Sequence, residues 1–257
     1  MKKRKKLKIL LIIPARMGSS RFPGKPLKKI SGIPMIGRVY NNVCQIKEVT
    51  SVVVATCDKE IARYVKSING NSIMTSKKHQ RASDRCAEAL IKLEKLNRIK
   101  YDIVIMVQGD EPMVNKKMIL DSLKPFRNDH NKIVQVVNLL GQIKSNRELN
   151  DKNCIKVVCD KYLNAMYFSR QSIPYSMKSK FNCSGKQVCI IPFRRDFLLL
   201  YNKLKPTPLE ESESIDMLRV LENGYDVKMV PTSEVSFPVD TPNDLKKVQL
   251  IIKRKNI

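Results

Sequence analysis

Short, largely apolar runs, each followed by a stretch of helical spacing, constrain this chain more than any other feature. Ile9–Ile13, Ser51–Thr56 and Asp102–Val107 are too short for helices. They show no alternation of apolar and polar residues, as expected of strands buried on both faces. Between them, Ile36, Val39, Tyr40 and Val43 recur on one helical face, with Pro34 suited to the first helical position. Ile61, Val65 and Ile68 repeat the pattern after Asp58, an expected N-cap, and Asn69-Gly70 should end that helix. A strand over Ser72–Thr75 and a helix capped by Ser83 or Asp84 continue the series. Strand and helix alternating at these spacings predict an α/β fold with a doubly wound, mostly parallel sheet. Ligands of such sheets bind beyond the carboxyl ends of the strands.

The second half is less regular. Ile133–Leu140 and Cys154–Cys159 read as strands, and Asp160-Lys161 should turn the chain into Leu163–Phe168 as a hairpin. Val188–Phe193 reads as a further strand. Thr207-Pro208-Leu209-Glu210 has the form of a capping box, opening a helix that Asn223-Gly224 should close. Thr241-Pro242-Asn243-Asp244 is a similar start for the last helix.

The first strand empties into Pro14–Pro26, where Arg16, Arg21 and Lys25 are interleaved with Gly18, Gly24 and two serines. Glycines let backbone N–H groups approach an anion, and the three cations can neutralise phosphate oxygens. The loop is not a Walker A motif. Five residues separate Gly18 from Gly24, and Pro26 stands where a Ser or Thr would hold magnesium. Pro23 and Pro26 should also keep a helix from starting directly after Lys25, leaving the loop irregular. Asp110 follows an apolar strand in Gln-Gly-Asp-Glu-Pro, and Asp240 precedes the start of the last helix. Two carboxylates at strand ends beside three cations suggest a magnesium site for a nucleoside triphosphate.

These residues carry a family resemblance. Pro-Ala-Arg-x-x-Ser-x-Arg-x-Pro-Gly-Lys-Pro, Val107–Pro112, Tyr167–Arg170, Leu218–Gly224 and Val239–Leu245 stand in this order along nearly the whole chain. Together they resemble the sugar-activating nucleotidyltransferases, most closely the 3-deoxy-manno-octulosonate (Kdo) cytidylyltransferases, or CMP-Kdo synthetases. The resemblance implies transfer of CMP from CTP to Kdo, releasing pyrophosphate and giving CMP-Kdo for lipopolysaccharide synthesis. It implies Mg2+ on Asp110 and Asp240, with Arg16 and Lys25 acting with them on the phosphates. It implies nucleotide contacts from Ala15, Arg16, Met17, Gly18, Ser20, Arg21, Lys25, Thr75, Gln80, Ser83 and Gln108. Lys156, Arg170, Gln187 and Asp216 fall at sugar-binding positions. One domain over residues 1–257 is expected, with 7–145 as the nucleotide-binding half and 146–252 as the sugar-binding and dimerisation half of a homodimer.

The sugar pocket departs from the family pattern. Gln187 stands in place of a His, with Cys189 and Ile191 in the Gly and aromatic positions that follow, and Asp216-Met217 replaces Glu-Gln. A related acidic sugar, such as 8-amino-Kdo or another ulosonate, is therefore an alternative substrate.

Composition bounds the remaining classes. The net charge of +25 raises the alternative of a basic nucleic-acid-binding protein, but the lysines are spread along the chain, aromatics are 6% and Trp is absent. Nucleic-acid binders concentrate charge and add stacking rings. No specific nucleic-acid partner is expected, and diffuse charge would steer anionic substrates inward. The seven cysteines have no framework spacing; Cys44, Cys86, Cys159 and Cys189 lie in apolar runs as expected of small core hydrophobes. A reducing, cytoplasmic setting without membrane insertion is expected.

Overall fold

The structure, a computed structural model, describes residues 6–19, 21–175 and 184–255. Two compact units divide it: Met1–Lys116 with Ser236–Ile257, and Lys117–Val235.

In the first unit, β1 (Ile9–Ala15) is buried at every residue. A small hairpin of β2 (Lys29–Ile30) and β3 (Ile33–Pro34) follows, then α1 (Met35–Val43). The alternation continues through β4 (Ser51–Thr56), α2 (Lys59–Ser67), β5 (Ser72–Met74), α3 (Ala82–Asn97) and β6 (Ile103–Val107). The strands run parallel in the order β5-β4-β1-β6. Ala15 is in register with Thr56, so the chain leaves β1 and β4 side by side.

In the second unit, α4 (Lys116–Ser122) and α5 (Lys124–Arg127) lead to β7 (Val136–Gln142), α6 (Asn146–Asn150), β8 (Lys156–Cys159) and β9 (Ala165–Ser169). Then come β10 (Ser184–Val188), β11 (Ile190–Arg194), α7 (Arg195–Tyr201), α8 (Pro208–Glu213), α9 (Asp216–Glu222) and β12 (Val227–Thr232). Here β7 pairs in parallel with β12 and antiparallel with β10 and β11, while β8 and β9 form the expected antiparallel hairpin. The chain re-enters the first unit and ends in α10 (Pro242–Lys255).

Several local expectations are corrected. Pro34 occupies the N-cap of α1, outside the helix, where it is also the last residue of β3, in register with Lys29. The cap of α3 is Arg81, so Ser83 and Asp84 lie inside the first turn. A single 3-10 turn does start at Lys25 and runs to Leu27; Pro26 at its beginning needs no N–H there. The strand expected from Ile133 begins only at Val136, and Ile133 is exposed. The run Val188–Phe193 is broken at Cys189 into β10 and β11. Cys44 is exposed at the end of α1, whereas Cys86 is buried as expected.

The helix expected over residues 207–224 is two helices. Ser214 turns left-handed, and α9 folds back so that Arg219 meets Glu210. Nε and Nη2 of Arg219 donate to the two oxygens of Glu210 at 2.6 and 2.7 Å, with both side chains buried. Removing either partner would strand a buried charge.

Candidate active site

The carboxyl ends of β1 and β6 face a cavity of about 290 Å³ lined by Arg16, Gly18, Arg21, Lys25, Gln108, Asp110 and Asp240, among others. The loop after β1 is held from beneath. Phe22 is buried in a cluster with Ile30, Met35, Val239, Val248 and Ile252, so loop and C-terminal helix share one small core. Gly24 has a φ of 69°, a left-handed conformation that glycine adopts without strain. The turn after β6 packs tightly as well: a Cβ at Gly109 would lie 3.0 Å from the carbonyl oxygen of Pro14.

Two bonds bring the aspartates together. The Val239 N–H donates to the backbone carbonyl of Asp110 at 3.0 Å, and the Ser236 hydroxyl donates to the buried Glu111 carboxylate. Lys25 then lies between both carboxylates, with Nζ at 2.6 Å from Asp110 and 3.3 Å from Asp240. Arg21 reaches Asp240 at 3.0 Å. Burial acts to lower the Lys25 pKa, but the Asp110 carboxylate and then Asp240 outweigh it, so the ammonium is held above its ordinary value. Arg16 is exposed, and its guanidinium makes no hydrogen bond or ion pair among the described residues.

The other expected nucleotide residues fall as follows. Ala15 is buried at the end of β1, and Met17 and Gly18 begin the loop; Ser20 lies outside the described residues. Gln80 and Gln108 line the cavity. Thr75 and Ser83 are buried, and Thr75 accepts a bond from Arg85 through its hydroxyl.

Sequence reasoning passed over Arg81 and Arg85, which also line the cavity from the start of α3, with Arg85 buried. Their spacing of four residues after a polar loop is a signal that places both on one helix face. His79, in the loop before α3, also lines the cavity and bonds to Glu88. Burial acts to raise the Glu88 pKa, but Lys92, the Ser76 N–H and His79 overcome it and hold the carboxyl down at about 2. A depressed carboxyl stabilises the fold above its unfolded pKa, near 4.5, and loses that contribution as pH falls toward about 2. Wild-type protein should therefore melt higher than Glu88→Gln above about pH 5, with the gap closing on acidification. Thermal melts of both proteins across this window check it.

The expected sugar residues lie in the second unit. Lys156 is fully buried, and its Nζ donates to the carbonyls of Asp151, Cys154 and Arg170 at 2.9, 2.6 and 2.5 Å. With three backbone acceptors on one ammonium, it presents no donor to a sugar carboxylate in this conformation. Arg170 donates from its three guanidinium nitrogens to the carbonyls of Glu213, Lys152 and Ser214. Both side chains are engaged with backbone carbonyls here. Gln187 donates through Nε2 to Asn138 at 2.7 Å, and Asp216 sits in the first turn of α9. Ile191 and Met217 are buried in the core.

A family model for cytidylyltransferases matches residues 10–230. A 3-deoxy-manno-octulosonate cytidylyltransferase of Fusobacterium nucleatum is 41% identical over 251 residues, covering 98% of this chain and 99% of that protein. One from Geobacter metallireducens is 40% identical, covering 94% and 96%. A solved structure of CMP:2-keto-3-deoxy-manno-octonic acid synthetase complexed with CTP superposes with a TM-score of 0.86 at 35% identity, covering 96% of this chain and 99% of that one.

Proposed function

The chain belongs to the 3-deoxy-manno-octulosonate cytidylyltransferase family, and from that premise we propose that it transfers CMP from CTP to the anomeric hydroxyl of Kdo. The observation that carries this reading is the single cavity in which three cations of the β1 loop and two carboxylates meet. The sugar oxygen attacks the α-phosphorus of CTP, a P–O bond forms, and the bond to the bridging oxygen breaks as pyrophosphate leaves. Such transfer depends on positioning and charge neutralisation, which this chain supplies through Arg16, Arg21 and Lys25. The Gly18 N–H, which has no partner among the described residues, adds a donor beside them. The amides of Gln108 and Gln80 are free to read the edge of the base.

The acidic pair fits a magnesium ion: carboxylates of Asp110 and Asp240 already converge on one cationic group, the Lys25 ammonium, and hard oxygens suit this metal. Held there, magnesium would supply neutralisation of phosphate charge and a lower pKa for the sugar hydroxyl. On the sugar side, Gln187 and Asp216 stand where the family pattern is altered, and Gln187 has its Nε2 fixed on Asn138. The reading includes a homodimer in the cytoplasm, checked by light scattering on a sizing column; among the described residues no helix is long and apolar enough to cross a membrane.

Pyrophosphate release from CTP and magnesium, measured across Kdo, 8-amino-Kdo and a nine-carbon sialate, tests the proposal. Release with Kdo is expected. Release with another acid alone would keep the chemistry and move specificity to Gln187, Ile191 and Asp216. CTP that neither binds nor turns over would overturn it.

A further inference from the structure

Asp58 occupies the N-cap of α2, where an Asp side chain ordinarily accepts a hydrogen bond from its own helix. This one makes no capping bond. Its Oδ2 instead accepts the backbone N–H of Met17 at 2.8 Å, across a separation of 41 residues. The Cys57 thiol donates to the same oxygen at 3.5 Å, and the Asp58 N–H donates to the Thr56 hydroxyl at 3.1 Å. The carboxylate is therefore locked in place at the end of β4, beside the exit of β1.

Met17 is the residue on which the loop turns. Its carbonyl accepts the N–H of Ser19 at 2.9 Å and the N–H of Gly24 at 3.2 Å, closing the loop onto itself. The bond from Met17 N–H to Asp58 ties this closed loop to the sheet. It also fixes the peptide plane joining Arg16 to Met17, and so the origin of the Arg16 side chain and of the Gly18 N–H, both of which line the cavity.

We infer that Asp58 is a positioning residue for the phosphate loop, setting the direction of Arg16 and Gly18 through Met17. The inference rests on the reading of this cavity as the CTP site. The carboxylate acts here as a hydrogen-bond acceptor, and its negative charge is incidental or slightly unfavourable toward an anionic ligand. An amide oxygen should serve nearly as well.

Amide hydrogen exchange, CTP titration and steady-state kinetics test the inference together. In the wild-type protein without ligand, the Met17 N–H should exchange at least ~10-fold more slowly than the Gly18 N–H. Asp58→Ala should raise the KM for CTP by roughly tenfold and lower kcat less, because a loosened loop misplaces binding groups at a distance. Asp58→Asn, which keeps an acceptor, should stay within about threefold of wild type. A freely exchanging Met17 N–H overturns the inference, as does Asp58→Ala with wild-type KM. Asp58→Asn impaired as severely as Asp58→Ala overturns it too, since charge and not acceptance would then matter. If Asp58→Ala does not fold, the Met17 exchange and Asp58→Asn still decide. Wild-type protein that fails to bind CTP counts against the cavity's assignment, whereas the exchange result on unliganded protein stands apart from it.

Discussion

Lys25→Ala should lower CTP turnover by roughly 10²–10³-fold, the scale of loss when a preorganised charge donor is removed from a reacting centre. Lys25 is half-buried and contacts both aspartates, at 2.6 and 3.3 Å. Its removal takes that shared ammonium from Asp110 and Asp240 and leaves Asp240 with Arg21, which is 52% exposed at its side chain. Two carboxylates gathered without their cation repel each other and any incoming polyphosphate. The loss should therefore appear in CTP affinity as well as kcat. Lys25→Arg should recover little, because a planar guanidinium cannot take the place of a compact ammonium between two carboxylates. Steady-state kinetics with isothermal titration of CTP provides the measurement. Near-normal turnover in Lys25→Ala would remove this residue from the mechanism.

What could be read in advance follows how local each cause is. The parallel strands of the first unit depend on runs such as Ile9–Ile13, whose burial on both faces is written in their composition. The three loop cations and the two aspartates at strand ends were legible because strand, turn and charge lie adjacent in the chain. The pairing of Lys25 with Asp240 was not, since it spans 215 residues and depends on Phe22 and Val248 sharing a core. Asp58 was read correctly as a cap position, yet its carboxylate answers to Met17, a partner that only the register of β1 with β4 brings near. That three backbone carbonyls take up the donors of Lys156 was not legible either, because one of them, that of Arg170, is brought near only by the pairing of β8 with β9. The break at Ser214 was invisible because the Arg219–Glu210 pair that enforces it joins residues on what reads as one helix.

The second large effect concerns the acidic pair. Asp110→Asn should cut CTP turnover by roughly 10²-fold or more and remove its response to magnesium, since one of the two carboxylates proposed to hold the ion becomes neutral. The fold should survive the change. The bond that joins this turn to the C-terminal segment uses the backbone carbonyl of Asp110, and the Glu111 to Ser236 contact is untouched. What disappears is the charge-assisted bond to Lys25, leaving that ammonium to Asp240. Without metal, then, Asp110→Asn should bind CTP at least as well as wild type, because less negative charge opposes the triphosphate. Binding retained while turnover and magnesium dependence are lost is a combination that misfolding cannot produce. Turnover titrated against magnesium, beside CTP binding with and without a chelator, separates these quantities. An Asp110→Asn enzyme with wild-type turnover and an unchanged magnesium profile would move the metal elsewhere and leave Asp110 as the structural partner of Lys25.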